Sequence, residues 1–156
     1  MQRILKLFAI LLMVAGSAQA LEPREGWVVL QSGKSFGDLV KAVNAVVETS
    51  EIRIVTQASA SAGAAQQGIT IPGNRIFGLY RNDYARRMLA ASLAAGIEAP
   101  IRLYATENAD GTSTLSYKTP SHVFAPYFDE GGDELRGLAA ELDGIFDSVA
   151  RAATAE

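Results

Sequence analysis

The single histidine of the chain, His122, is the first candidate for acid–base chemistry. Imidazole titrates near physiological pH, so it can act as a general base when a partner and a reacting group lie within hydrogen-bond reach. Glu107, Tyr117 and Tyr127 could approach it, although their spacing does not require this. A hydrolase built on His122 with Glu107 is therefore one hypothesis, and an ordinary surface histidine is the other.

Other common catalytic and metal-binding motifs are absent from the sequence. It has no Gly-x-Ser-x-Gly elbow and no cysteine, which excludes thiolate and disulfide chemistry. One histidine is too few for the nitrogen and sulfur ligands that zinc and copper prefer. The acidic residues from Asp129 to Glu134 lack the spacing of a calcium loop and suit the positive end of a helix. We assign no catalytic residue and predict no metal and no cofactor.

Ligand binding has candidates among arginines and strand tyrosines. Arg81 precedes a predicted helix whose free N–H groups could help it hold an anion, but Asp83 would already occupy that position. Arg75 and Arg102 are expected on neighbouring strands. Tyrosines on strands could line a pocket or could simply pack. The candidate ligand-binding residues are Arg81, Tyr104, Glu107, Tyr117, His122 and Tyr127.

The first half of the chain predicts alternating strands and helices. Residues Trp27 to Leu30 favour a strand, and the apolar spacing predicts a helix from about Phe36 to Thr49, capped by Ser35. Alternation over Ile52 to Thr56 predicts a strand with one buried face. The alanine-rich run between Ser59 and Gly68 favours a short helix, with a flexible linker as the alternative.

The middle of the chain predicts a strand and a helix. Residues Arg75 to Tyr80 form the third strand, in which Gly78 marks a place where another group approaches closely. Asn82 or Asp83 then caps a helix that ends at Gly96 in a left-handed conformation.

The last third predicts a hairpin and a long helix. The strands Ile101 to Ala105 and Leu115 to Tyr117 alternate in polarity across an Asp-Gly turn. Pro120 and Pro126 bracket an irregular stretch, and a helix begins at Asp133. The apolar stripe of that helix comprises Leu135, Leu138, Leu142, Phe146 and Val149.

These elements predict an α+β domain with a single mixed or antiparallel sheet. Because the strands alternate in polarity, helices should cover mainly one face and leave the other more open. We expect function or partner contact on that open face.

The amino terminus predicts export. Arg3 and Lys6 precede an apolar run from Leu7 to Val14, and small residues end it at Ala20, as in a cleaved secretory signal peptide. An uncleaved anchor is the alternative, although the run is shorter than the roughly 20 residues of a spanning helix. We predict a signal peptide over residues 1–20 and a single periplasmic or secreted domain over residues 21–156, with no membrane attachment after cleavage.

The charge balance argues against nucleic acid as a partner. Arg3 and Lys6 are two of the 14 basic residues, and none of the 17 acidic residues precedes residue 21, so the exported part carries 12 basic against 17 acidic side chains. Nucleic-acid-binding domains usually show a basic surplus.

Several segments between Ile71 and Tyr127 resemble a known family. They are Ile71-Pro-Gly-Asn-Arg-Ile-Phe-Gly78, Ala94-Ala-Gly-Ile-Glu-Ala-Pro-Ile-Arg102, Glu107, Asp110-Gly111, Ser116-Tyr117 and Pro120. The chain resembles the bacterial family named domain of unknown function 302. The resemblance implies a compact α+β fold of the TATA-binding-protein-like type and self-association, with no established activity.

Two functional hypotheses follow from the sequence. The first is a non-catalytic periplasmic binding or interaction module, a homodimer that contacts a small ligand or an envelope protein. Its surface would be the open sheet face or the stretch from Tyr117 to Tyr127. The alternative is an envelope enzyme that uses His122 with Glu107.

Overall fold

The structure, a computed structural model, describes residues 21–156, so the predicted signal peptide lies outside the described residues. Five strands are present: β1 (Trp27–Ser32), β2 (Arg53–Ala58), β3 (Asn74–Tyr80), β4 (Ile101–Glu107) and β5 (Ser113–Lys118). The α-helices are α1 (Phe36–Glu48), α2 (Ala60–Gln66), α3 (Asn82–Ala91), α4 (Pro120–Phe124) and α5 (Phe128–Thr154). Short 3-10 helices cover Ala94–Glu98 and Ala125–Tyr127.

The five strands form one antiparallel sheet in the order β1-β5-β4-β3-β2. The predicted hairpin, β4 and β5, lies in its middle, with Tyr104 opposite Ser116. Gly111 takes a φ of +84° in the connecting turn, as the Asp-Gly pair predicts. The expectation of a single sheet is confirmed, and the sheet is entirely antiparallel.

Helices cover one face of the sheet. Helices α1 and α5 pack against the strands and against each other, while α3 and α4 pack on α5. The predicted stripe of α5 is buried, together with fully enclosed side chains from α1 and the strands such as Leu39, Val43, Phe77, Leu103 and Leu115. Apolar burial of this kind supplies most of the driving force for folding. The α+β class with one-sided helix packing is therefore confirmed.

Polar caps fix the starts of the first two helices. The Ser35 hydroxyl accepts a hydrogen bond from the N–H of Asp38 at 3.2 Å, which confirms the predicted cap of α1. The Ser59 hydroxyl accepts from the N–H of Ala62 at 3.1 Å, so the alanine-rich run is a helix. None of the helices within residues 21–156 combines the length and hydropathy needed to cross a membrane.

Helix α3 differs from its prediction at both ends. Arg81 is the N-cap residue and makes no capping bond, so the expected caps Asn82 and Asp83 lie inside the helix. The helix ends at Ala91, and Gly96 does not take a left-handed conformation. The reason is Ser92, whose hydroxyl accepts the N–H of Ala95 at 3.2 Å and begins a separate 3-10 turn.

The stretch between Pro120 and Pro126 is helical, so the prediction of an irregular segment was wrong. The Thr119 side chain accepts the N–H of His122 at 3.3 Å and Pro120 occupies the first turn, where its missing N–H costs nothing. Helix α5 begins earlier than expected but breaks at Gly132, where φ is 57°. Its regular part starts at Asp133, as predicted.

Strand β2 departs from simple alternation. A register shift between Ile54 and Thr56 leaves Val55 51% exposed, so Ile52 and Ile54 point into the protein and Thr56 does not. A bulge of this kind at a sheet edge disrupts further pairing.

Gly26 is the glycine whose replacement should be most informative. It has a φ of +70°, and an added Cβ would lie 2.1 Å from Cγ of His122, whereas Gly111 has a φ of +84° and open space around it. We expect Gly111→Ala to lower the free energy of unfolding by about 1 kcal/mol through backbone strain. Gly26→Ala should lower it further because the new Cβ meets the imidazole. Combining Gly26→Ala with His122→Ala should remove this extra loss. Urea denaturation measures all three, and equal losses for the two glycines would contradict the contact.

Candidate functional site

The sheet face opposite α1 and α5 carries three cross-strand rows of side chains. The central row is Val29, Ser116, Tyr104, Ile76 and Ala58. The row on one side is Trp27, Lys118, Arg102, Gly78 and Thr56, with Arg102 one register position beyond the last β4–β5 pair. The row on the other side is Gln31, Thr114, Thr106 and Asn74. The face thus has an apolar centre between a basic row and a row of amides and hydroxyls.

A groove of about 480 Å³ lies on this face. Every strand contributes to its lining, which includes Trp27, Ala58, Ile76, Tyr104 and Ser116. Binding sites for small molecules typically measure about 300–1,000 Å³ and are mostly apolar with a few polar groups. The groove therefore has the size and composition of such a site.

A second hollow beside the β4–β5 turn is shallower and polar. Its side chains satisfy one another: the Asn108 amide donates to Gln31 at 3.3 Å and to Thr112 at 3.0 Å. Because these groups already have partners, the hollow presents little to a ligand, and the sheet-face groove is the better candidate.

Two cations stand in the groove without acidic partners. Lys118 and Arg102 are exposed and line it, and neither forms an ion pair within 4.0 Å in the part of the chain that the structure describes. The Lys118 ammonium lies 5.8 Å from the centroid of the Trp27 ring, and the Arg24 guanidinium lies 5.6 Å from it. These cation–aromatic contacts concentrate positive charge at one end of the groove.

The one carboxylate that lines the groove, Glu98, is already engaged. Its Oε1 accepts a hydrogen bond from the Tyr127 hydroxyl at 2.9 Å. This bond raises the pKa of Tyr127 above its ordinary value. Tyr127, a predicted ligand-binding residue, therefore acts on the groove through Glu98.

Tyr104 is the predicted site residue that lies in the middle of the groove. It is half-buried in the central row, between Ser116 and Ile76. The Ser116 side chain is fully buried beside it and donates to the Tyr104 carbonyl at 3.4 Å. These neighbours form the floor of the groove.

Tyr117 belongs to the hydrophobic core instead. It lies on the helix-covered side of β5, is 2% exposed, and its ring centroid is 5.7 Å from that of Phe146. Burial raises the pKa of Tyr117 to about 12. It borders the groove from the opposite side of the sheet.

The structure does not bring His122 and Glu107 together. Glu107 is paired with Ser113 at one end of β5, and its Oε2 accepts the N–H of Gly73 at 2.6 Å. His122 follows the other end of β5, exposed and stacked over Gly26. The strand between them spans roughly 17 Å at about 3.3 Å per residue. Acid–base cooperation between them has no geometric support.

Arg81 is held in an ion-pair network outside the groove. Its guanidinium contacts Glu51 at 2.6 Å and Asp83 at 2.9 Å and lies 4.9 Å from the centre of the Tyr84 ring. Arg75 and Arg102 do lie on neighbouring strands, but on opposite faces of the sheet. Among the described residues, no group of three or more His, Asp or Glu side chains is arranged to hold a metal.

Sequence reasoning missed Trp27, Ile76 and Lys118 as groove residues. Each occupies an outward position of an alternating strand, and this alternation was the sequence signal that could have identified them. Their convergence follows from the pairing of β1 with β5 and of β3 with β4, which the sequence does not state.

The family profile described as "Domain of unknown function DUF302" matches residues 28–152. The chain belongs to the DUF302 family. Its structure is similar to the "Crystal structure of uncharacterized conserved protein DUF302 from Bacillus stearothermophilus", with a TM-score of 0.72 and 14% identity over 83% of this chain and 99% of that chain. At this identity the similarity shows the shared fold. Comparison with curated proteins gave no match.

The buried Tyr117 should make this DUF302 domain sensitive to alkali. Its pKa is about 12 when folded, above the value of about 10 in an unfolded chain, so the unfolded state loses its proton first. The resulting stability is complete below pH 10 and is lost as the pH rises toward 12. We expect wild type to lose about 1–2 kcal/mol more than Tyr117→Phe between pH 9 and pH 11. Urea denaturation at both pH values tests this, and parallel losses would contradict it.

Proposed function

We propose that this DUF302 domain is an exported, non-catalytic binding module that holds a small molecule in the groove on its open sheet face. The observation that carries the proposal is the groove itself, of about 480 Å³, with an apolar floor and a few polar side chains at its rim. This combination of size and lining matches sites for small organic molecules.

The sheet supports a preformed site. Strands β5, β4 and β3 are each paired on both sides, and they provide Ser116, Tyr104 and Ile76 of the floor. Paired central strands hold side chains in fixed positions, so the protein loses little conformational entropy when a ligand binds. This favours binding to the groove as it stands.

The polar groups of the groove favour binding over catalysis. The Ser116 hydroxyl donates to a backbone carbonyl, and within the described residues it has no hydrogen bond to a histidine or carboxylate. A serine nucleophile needs such a base to activate it. The hypothesis of an enzyme using His122 with Glu107 gains nothing from the arrangement of those two residues.

A small molecule suits this face better than a second copy of the chain. A two-fold pairing of open faces would bring the same surface of each copy together. When that two-fold axis runs along the strands, each row faces itself, so Arg102 and Lys118 of both copies approach one another, and like charges across an interface are unfavourable. Self-association remains a prediction from the family resemblance, and we expect a dimer to leave this face free.

Export of the module is tested by the mass of the protein made in its own host. We expect protein recovered from the envelope to begin at Leu21, because the small residues that end at Ala20 fit the cleavage pattern. Intact-mass spectrometry of that fraction measures the amino terminus. Retention of Met1 would contradict cleavage without affecting the groove.

Filling the groove should weaken binding of a neutral apolar probe. Ile76 lines the groove and is 36% exposed, so the larger side chain of Ile76→Trp fills the groove without overpacking the hydrophobic core. We expect it to weaken binding of the neutral dye N-phenylnaphthylamine by about tenfold or more. Fluorescence titration provides the measurement, and circular dichroism confirms that the variant is folded.

Ile69→Trp is the matched control. Ile69 is 52% exposed and lies outside the groove, so the same substitution there should leave the affinity within about twofold of wild type. The chain also exposes Leu93 and Ile97 near the end of α3, at 77% and 80%. Dye binding that Leu93→Ser abolishes and Ile76→Trp leaves intact would place the dye there and contradict the proposal.

A further inference from the structure

The geometry points to a small amphipathic anion as the ligand of the sheet-face groove, with a flat apolar body on Tyr104 and Ile76 and one negative group at Lys118 and Arg102. This inference rests on the proposed binding function and adds the chemical class of the ligand. The occupant it names is a free molecule of one or two rings with a single carboxylate or sulfonate.

The position of the two cations carries the inference. Lys118 and Arg102 are adjacent across β4 and β5, because the register that pairs Leu103 with Tyr117 places them at the next position. Both lack an acidic partner within 4.0 Å among the described residues, whereas Arg81 and Arg87 each have two and Arg151 has one. Free neighbouring cations beside an apolar surface offer charge-assisted hydrogen bonds to an anion.

The charge of the sheet is opposite to that of the domain. The exported part is acidic overall, yet the five strands contain four basic residues and one acidic residue, Glu107, whose carboxylate binds the Gly73 amide. The charged residues that the strands place on the open face are all basic: Arg53, Arg102 and Lys118. Glu98 also lines the groove but accepts a hydrogen bond from the Tyr127 hydroxyl, so the two cations leave a net positive charge, which raises the local concentration of anionic ligands.

The rows of the face set the length of the ligand. Successive outward residues of a strand are about 7 Å apart, so an anion at Lys118 places its apolar body over Ser116 and Tyr104. The next row is polar and begins with Thr114, whose hydroxyl bonds to Gln31 at 2.8 Å. An apolar chain reaching that row would meet hydrogen-bonded side chains, so a body of about one or two rings fits.

Aromatic surface at the cationic end favours a flat ligand. Trp27 pairs with Lys118 across the strands and is half-buried beside it. Its ring centroid lies 5.8 Å from the Lys118 ammonium, so aromatic surface and positive charge adjoin at this end of the groove. A bare inorganic anion would use the cations and leave Trp27 and Tyr104 without contacts.

The test compares two dyes of the same shape that differ in charge. Anilinonaphthalene sulfonate carries a sulfonate, and N-phenylnaphthylamine is its neutral counterpart. We expect the folded full chain to bind the sulfonate about tenfold more tightly than the neutral dye at low salt. Raising the salt concentration should narrow this difference, because the cations are exposed and screened.

Charge-removing variants locate the anionic group. Lys118→Gln and Arg102→Gln should each weaken binding of the sulfonate by about five- to tenfold and change binding of the neutral dye less than twofold. Arg86→Gln is the control, since Arg86 is exposed on α3 away from the groove and removes the same charge. It should leave both affinities unchanged.

The outcomes separate this inference from the proposed function. Equal affinity for both dyes, with no effect of Lys118→Gln, would show that the ligand need not be an anion. If Ile76→Trp still blocked binding in that case, the groove would remain the binding site. If Ile76→Trp left the affinity for both dyes unchanged, the groove would not be the binding site and the proposed function would be wrong. Binding to phosphatidylglycerol vesicles that Lys118→Gln abolishes, with unchanged affinity for the soluble sulfonate, would reassign the cations to a membrane surface.

Discussion

One-sided coverage of the sheet is the constraint on which the rest of the structure depends. Side chains alternate along each strand, so burying Phe77, Leu103 and Leu115 beneath the helices commits their neighbours to the opposite face. Within residues 21–156, α1 and α5 pack on the helix-covered face, so those neighbours must shelter one another. Ser116 is fully buried there because Val29 and Tyr104 flank it across the strands. The groove is thus a direct consequence of the layer arrangement.

The same arrangement separates the charges of the domain. Acidic side chains lie mostly on the helices, and some of them pair with arginines: Arg87 joins Glu134 and Glu141 of α5, which ties α3 to the long helix. Hydrogen bonds to Arg87 lower the pKa of Glu141, so this tie weakens in acid as the carboxylate becomes protonated. The strands are left with cations on the open face. A domain that is acidic overall therefore carries Lys118 and Arg102, which have no ion pairs among the described residues, in its sheet-face groove.

Local signals predicted most of the fold, while the site depended on distant pairing. The Ser35 cap, the Asp-Gly hairpin and the stripe of α5 each involve residues close in the sequence, so periodicity and capping rules reach them. Trp27 and Lys118 meet only because β1 pairs with β5, the last strand in chain order and far from β1 in the sequence. Conversely, His122 and Glu107 are near in sequence, but the length of β5 holds them apart. A single competing hydroxyl, that of Ser92, was enough to end α3 before its predicted glycine.

If the groove binds a ligand as we propose, the exposure of its cations requires charge and apolar contact to act together. Two unit charges 4 Å apart gain about 1 kcal/mol in water and about 4 kcal/mol near a protein surface, before the cost of immobilising a ligand. Lys118 and Arg102 are exposed, so a simple anion would bind only weakly. Apolar contact adds about 25 cal/mol for each Å² buried, and the floor around Tyr104 and Ile76 provides that area. Each contribution alone gives weak binding, so we expect a molecule that combines both to bind this face more tightly than an inorganic ion or a neutral hydrocarbon does.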